Sequence, residues 1–344
     1  MFNPKYIITD KILSGITTIS EINSLIQKSK ITPAREIFLK KVATIGMAHS
    51  STSIEGNTLD QYQVKMLVDG KKVVAEDTQI LEVTNYLKSL KLVDNIHDSK
   101  DFFESKDILN IHKSVTVGLV DLNKVGVFRK GPVYIVNVLP SGYEELVYTP
   151  PKFDQVEKLI SELLEWLYKV DDIHPIIKAG IFHYQYVSIH PFTDGNGRSA
   201  RLLTLLYLYQ KGYVFKKSLV LEDFYNNDRQ RYYENLQTGT SYKSRINVDL
   251  TGWLEYFIEG FLFESYRVKD LVLSFSNNSK ASAVLNKDEL KIVDFTVNMG
   301  KITSDEVVKI LDIPKRTAQD KLKKLVEIKI LKKVGSGSNT YYIV

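Results

Sequence analysis

Cysteine is absent from all 344 residues, which excludes disulfide staples, thiol nucleophiles and cysteine-ligated zinc. No apolar run is long enough to cross a bilayer, and the opening MFNPKYIITDKIL lacks the basic-then-apolar pattern of a secretory leader. The expectation is a cytoplasmic chain without membrane attachment. Charge of one sign does not dominate, with 46 Lys and Arg against 41 Asp and Glu. His49, His97, His112, His174 and His183 are scattered without a third ligand at metal spacing; His112 and His183 read as hydrogen-bonded core residues. There is no internal repeat. What remains is an ordinary globular composition, 44% hydrophobic and 25% charged, long enough for two or three domains.

The densest chemistry lies in the twelve residues His190 to Arg201, HPFTDGNGRSAR. Upstream, Ile177, Ile181, Tyr184 and Val187 recur at helical spacing, and Pro191 disfavours helix at His190. Gly195 and Gly197 bracket Asn196, which tolerates positive φ and lets backbone N–H groups share one concavity. A second helix follows from Arg198, and its N-terminus favours a phosphate. Arg198 and Arg201, three apart, share a helical face with guanidinium forks suited to phosphate oxygens. His190 is a candidate general base and Asp194 a hard oxygen ligand for Mg²⁺. The bland alternative is a helix-capping histidine beside an arginine-paired aspartate. Which phosphoryl bond breaks is not legible from these residues.

This loop resembles the signature of the Fic family, H-x-F-x-[D/E]-G-N-G-R-x-x-R, at His190, Phe192, Asp194, Gly195, Asn196, Gly197, Arg198 and Arg201. The resemblance implies transfer of AMP from ATP to a Ser, Thr or Tyr hydroxyl of a target protein or of the chain itself. Attack is then at the α-phosphorus, with ATP as substrate and Mg²⁺ as cofactor. His190 is the implied catalytic residue, Asp194 the metal ligand, and Gly195, Asn196, Gly197, Arg198 and Arg201 the nucleotide contacts.

Upstream, Ser51-Thr52-Ser53-Ile54-Glu55-Gly56 is similar to the inhibitory motif [S/T]-x-x-x-E-[G/N] that accompanies many Fic domains, at Ser51, Glu55 and Gly56. On a helix, Ser51 and Glu55 share a face, so a carboxylate there can pair with Arg201 and block a γ-phosphate. The residues alone also allow a plain helix end with Glu55 solvated. Val127 to Pro151 is β-rich with a turn at Pro140-Ser141-Gly142, and looks like the family's flap hairpin, whose edge would align a target segment. Downstream, Tyr232, Tyr233 and Leu236 match a Tyr-Tyr-x-x-Leu element. Tyr233, Tyr232 and Asn235 are the proposed adenine-pocket residues, with core packing open for either tyrosine.

Elsewhere most of the first 270 residues read as helix, including 36–48, 60–68, 79–93, 108–117 and 153–170. Ser274 to Ser282 is a polar linker candidate. Beyond it, helices at Lys287–Asn298, Ser304–Leu311 and Lys315–Val326 precede two β-rich segments, Ile330–Val334 and Thr340–Val344, an order that resembles a winged helix-turn-helix. From Lys301 to Lys333 there are ten Lys or Arg and five Asp or Glu. That local excess allows DNA contact through Arg316, Thr317 and Gln319, and equally a solvated face or a protein-docking module.

The expected architecture is therefore mainly α: a Fic-type helical core with a small β-hairpin flap, plus a C-terminal winged helix-turn-helix. The expected divisions are 1–105, a helical region with the inhibitory motif; 106–273, the catalytic core; and 283–344, the winged unit. The expected function is an adenylyltransferase self-inhibited through Glu55. The alternatives are a deAMPylase or dual enzyme using Glu55, and a nucleotide-sensing, DNA-binding regulator. A homodimer is allowed.

Overall fold

A computed structural model describes residues 2–31, 33–138, 142–169, 172–276, 285–299, 301–328, 330–335, 337 and 340–343. The molecule is organised around two helices that are buried on nearly every side. One is Pro175–Ile189, entered through Pro175 in its first turn; the other is Asn196–Gln210. Helices with no solvent face must be surrounded, and these are. Numbered in chain order, the elements of this body are α1 (Asp10–Lys28), α2 (Pro33–Ile54), α3 (Gln61–Val68), α4 (Asp77–Ser99), α5 (Ser105–Thr116), β1 (Ile135–Val138), β2 (Glu144–Tyr148), α6 (Val156–Lys169), α7 (Pro175–Ile189), α8 (Asn196–Gln210), α9 (Leu221–Asn227), α10 (Arg229–Leu236), α11 (Tyr242–Arg245) and α12 (Thr251–Ser276). α2, α4 and α5 pack on α8, while α6, α11 and α12 pack on α7.

One apolar core runs through this body from Ile12 to Val272. The N-terminal helices are therefore joined to the central pair by shared burial: α1 lies along α12, and α2 touches both α4 and α9. Among the described residues, the first 105 have no separate core of their own. α1 has a clear amphipathic face, with Ile12, Ile16, Ile19, Ile22 and Ile26 buried, although the sequence reading did not assign that helix.

β1 and β2 form an antiparallel hairpin, with Ile135 opposite Tyr148 and Val136 opposite Leu146. Within the predicted turn, Pro140 and Ser141 lie outside the described residues, while Gly142 takes φ 80°. The predicted linker begins later than expected: α12 continues through Ser276, and 277–284 lie outside the described residues. The remaining chain forms α13 (Lys287–Met299), α14 (Ser304–Leu311), α15 (Lys315–Glu327) and the hairpin of β3 (Lys332–Val334) with β4 (Tyr341–Ile343). A second, small core of Ile292, Val307, Ala318, Leu322 and Leu325 holds it. Its α13 rests on α2 and α3. Among the described residues, no helix is long and apolar enough to cross a membrane.

Candidate active site

α7 ends at Ile189, and His190 follows in the left-handed region at φ 51°, ψ 62°. That conformation is disfavoured for a residue with a Cβ, so the surrounding contacts must impose it. Arg129 is the principal one. It is buried, its Nε donates to His190 O at 2.8 Å, and its Nη atoms donate to Gly131 O and Pro151 O at 3.2 and 2.5 Å. Its own N–H donates to Pro191 O. One guanidinium therefore ties both ends of the hairpin segment to the loop. The His190 ring is half-buried, with Nδ1 3.4 Å from Val187 O. Only a protonated Nδ1 can satisfy that carbonyl, which leaves Nε2 as the basic nitrogen. Burial lowers the ring's pKa to about 4, so it stands neutral at physiological pH.

The loop is closed from inside. Asn196 accepts from Phe192 N–H and donates to Phe192 O, both at 2.9 Å. Its side chain is thus a staple within the loop, which leaves its backbone N–H, at the start of α8, as the group it can offer a nucleotide. A short buried amide at that position finds the loop's own backbone before any ligand. His112 closes the other side: Gly126 N–H donates to its Nδ1, so its Nε2–H donates to Asp194 O at 3.0 Å, and the ring stacks on Phe192.

Gly195 takes φ 76° and α8 begins at Asn196, two residues earlier than expected. Gly197, by contrast, does not have a positive φ. It is glycine for space, because a Cβ there would overlap the Glu55 carboxylate. The first N–H groups of α8 have no carbonyl behind them in the helix, and with the helix dipole they favour an anion.

The two loop arginines point to different partners. Arg201, with its side chain 2% exposed, donates from Nε to Ser51 Oγ at 2.8 Å and from Nη2 to Ser51 O and Glu55 Oε1 at 2.9 and 2.6 Å. Arg198 donates to Glu82 Oε1 at 2.6 Å and to Asp194 Oδ1 at 3.1 Å. Glu82, on α4, also accepts from Asn57 at 2.8 Å. A cavity of about 390 Å³ is lined by His190, Gly197, Arg201, Tyr148, Tyr232, Tyr233 and Arg245, and a second of about 400 Å³ by Asp194, Arg198, Gly56 and Glu82. Glu55 borders both. In this state the arginines do not form one clamp, because the Glu55 carboxylate stands between the cavities they face.

On α10, Tyr232, Tyr233 and Leu236 line the His190 cavity, with Gln237 just beyond the helix end. Tyr232 also bonds His183 Nε2 at 2.8 Å, and His183 Nδ1 meets Thr204, so that histidine is a satisfied core residue. Asn235, the third residue expected at the adenine pocket, donates its amide to Arg231 O at 2.8 Å. Asp194 has a half-exposed carboxylate on the rim of the second cavity, its Oδ1 accepting from Gly195 N–H and Arg198. A single rim carboxylate beside a phosphate cradle fits Mg²⁺, which keeps waters and takes other ligands from substrate phosphates.

Sequence reasoning missed Arg129, Glu82, Asn57 and Arg245. Little local marks them: apart from Gly131, the side-chain partners of Arg129 lie 22 and 61 residues away, and Glu82 meets Asn57 and Arg198 25 and 116 residues away. Glu82 alone carried a hint, as a carboxylate on the half-buried side of a predicted helix.

The profile of the Fic/DOC family matches residues 102–208. The chain is 33% identical over 204 residues to the protein adenylyltransferase Fic of Culex quinquefasciatus, covering 58% of this chain and 37% of that protein. For the Aedes aegypti protein of the same name, identity is 30% over 234 residues, covering 66% and 41%. The chain thus spans about two fifths of the length of these relatives. A crystal structure of a Fic family protein from Desulfovibrio desulfuricans G20 is similar over 100% of this chain and 98% of that one, at 25% identity and a TM-score of 0.66.

Proposed function

We propose, from the match of residues 102–208 to the Fic/DOC family, that this chain is a protein adenylyltransferase. The hydroxyl of a target Ser, Thr or Tyr gives its proton to His190 Nε2 as its oxygen attacks the α-phosphorus of ATP. The bond from the α-phosphorus to the bridging oxygen breaks, pyrophosphate leaves, and the target keeps AMP through a new phosphoester. His190 then releases its proton to solvent. The observation that carries this reading is a neutral imidazole with a basic Nε2, lining one cavity with Gly197 of the α8 N-terminus and with Arg201. Asp194 would hold Mg²⁺, which supplies charge neutralisation to the phosphates when bound.

Glu55 is the inhibitor in this reading. Its carboxylate occupies the guanidinium that a γ-phosphate requires, and it fills the space Gly197 leaves open. A dual enzyme is a second reading, because Glu55 borders the His190 cavity and a carboxylate there can orient water for AMP removal. The remaining proposals are a division at 1–105, 106–273 and 283–344, a cytoplasmic setting, and a winged helix-turn-helix at the C-terminus. Arg316, Thr317 and Gln319 are exposed on α15, as DNA contact would need. However, Lys315, Lys321 and Lys324 pair with Asp305, Asp288 and Glu289, which reduces the charge available to phosphates. We therefore expect weak, salt-sensitive retardation of duplex DNA, with Arg316→Ala lowering the salt slope by about one.

Transfer of label from α-labelled ATP tests the main reading. Glu55→Gly should label itself or an added target, and Glu55→Gly with His190→Ala should lose roughly 10²–10⁴-fold of that rate. Equal labelling by both would remove His190 from the chemistry. Release of AMP from a pre-modified target, lost on Glu55→Gly, would favour the dual enzyme.

A further inference from the structure

The cavity that holds His190 also holds a cation without a counter-ion. Arg245, at the end of α11, is 4% exposed. Its Nε donates to Gly239 O at 3.0 Å, and its guanidinium carbon lies 3.6 Å from the centre of the Tyr148 ring. Among the described residues no carboxylate pairs with it. The other arginines of the site differ: Arg201 meets Glu55, Arg198 meets Glu82 and Asp194, and Arg129 is held by three carbonyls.

A guanidinium keeps its proton even when buried. Taking that charge out of water without an anion is costly, and a ring face and one carbonyl compensate only part of it. The arrangement is therefore completed by an anion that arrives with a ligand. Stacking on Tyr148 and the Nε bond fix the guanidinium plane beforehand, so little ordering remains to be done on binding. Its positive charge is also felt at His190, where it helps keep the imidazole neutral.

We propose that Arg245 reads the phosphoryl group on which His190 acts, the α-phosphate of the bound nucleotide, and that it does so even while Glu55 occupies Arg201. This deepens the adenylyl-transfer reading and rests on it. Three points favour that anion. Arg245 lines the same cavity as His190. Its terminal amino groups form a two-pronged donor suited to two non-bridging phosphate oxygens. The outer phosphates have their own cradle in the start of α8 and Arg201. The adenine base does not meet the need, because it is neutral and cannot balance a buried charge.

AMP separates the possibilities, since it carries the α-phosphate and no other. Calorimetric titration of the full chain with adenosine, AMP and ATP compares the parent with Arg245→Met and Arg245→Lys, with thermal unfolding as the check on folding. Methionine keeps much of the apolar packing on Tyr148, and lysine keeps the charge without the fork. Arg245→Met should weaken AMP roughly ten- to a hundredfold and ATP by a similar factor, leave adenosine unchanged, and be partly rescued by Arg245→Lys. Equal losses for adenosine and AMP would reduce Arg245 to shaping the pocket and overturn the assignment. Unchanged AMP binding would also overturn it, moving the anion to the target. If Arg245→Met fails to fold, Arg245→Lys carries the same comparison. A parent chain that binds none of the three probes would sink the adenylyl-transfer reading itself, a result distinct from failure of Arg245 alone.

Discussion

Glu55 and Arg201 meet at 2.6 Å with the arginine almost wholly enclosed and the carboxylate 28% exposed. An enclosed ion pair is destabilised most when one partner alone is removed, and here the exposed partner is the one a phosphate can replace. Glu55→Gly should therefore raise AMP transfer about ten- to a hundredfold, the effect of one charge-assisted hydrogen bond, measured as initial rates with α-labelled ATP. Arg201→Ala should lower transfer, and Glu55→Gly should restore little in that background, because the group it releases is gone. Additive effects would mean that the two side chains act independently. Ser51 belongs to the same unit, since its hydroxyl and carbonyl take the other donors of Arg201. Its spacing from Glu55 was visible in the sequence because a helix repeats every three to four residues. The carboxylate of Glu82 on Arg198 was not, because that contact spans 116 residues.

The loop between α7 and α8 shows which parts of an element local sequence can specify. Pro191 announced the end of α7, Gly195 the positive φ, and the helical periodicity the two buried flanks, all of them constraints acting within a few residues. The roles of Asn196 and Gly197 were legible only as residue types. Their reasons lie in the third dimension: an amide folded back on Phe192 and a missing Cβ that admits Glu55. For Asn235 the local sequence says little, because a two-turn helix gives too few positions to settle which side is buried. Asn196→Ala removes both bonds to the Phe192 backbone and leaves a buried donor and acceptor without partners. A loss of about 1–3 kcal/mol per group is expected, read as a lower denaturation midpoint. Transfer should fall further than stability does, since His190 and Asp194 are carried by the same loop. A variant with lowered midpoint and intact kcat would show that the staple serves folding only.

At the scale of the whole molecule, protonation links the buried core to pH. His112, His183 and His190 have pKa values lowered by burial to about 4, about 3 and about 4, against an ordinary value of 6.5. Below pH 6.5 the unfolded chain takes up protons that the folded chain refuses, so stability falls as the solution is acidified toward pH 4. Glu222 acts in the opposite sense. It is buried between α2, α4 and α8, its pKa pushed up to about 7 by burial against the opposing pull of Arg201 and the Tyr86 hydroxyl, which donates to it at 3.0 Å. A raised carboxylate pKa contributes stability that is fully present below about 4.5 and is lost as pH rises through about 7. Glu264, raised to about 7 beside Arg267, adds to that trend. The two trends act in opposite senses over nearly the same range, about pH 4 to 7, and partly cancel there. Glutamine at position 222 has nearly the same shape and still accepts from Tyr86, but it has no charge to bury. Glu222→Gln should thus leave the urea midpoint unchanged near pH 5 and raise it at pH 8, a gain in unfolding free energy on the order of a few kcal/mol. An equal shift at both pH values would mean that the substitution acts through packing, and a lower midpoint at pH 8 would mean that ionised Glu222 is held favourably by Arg201.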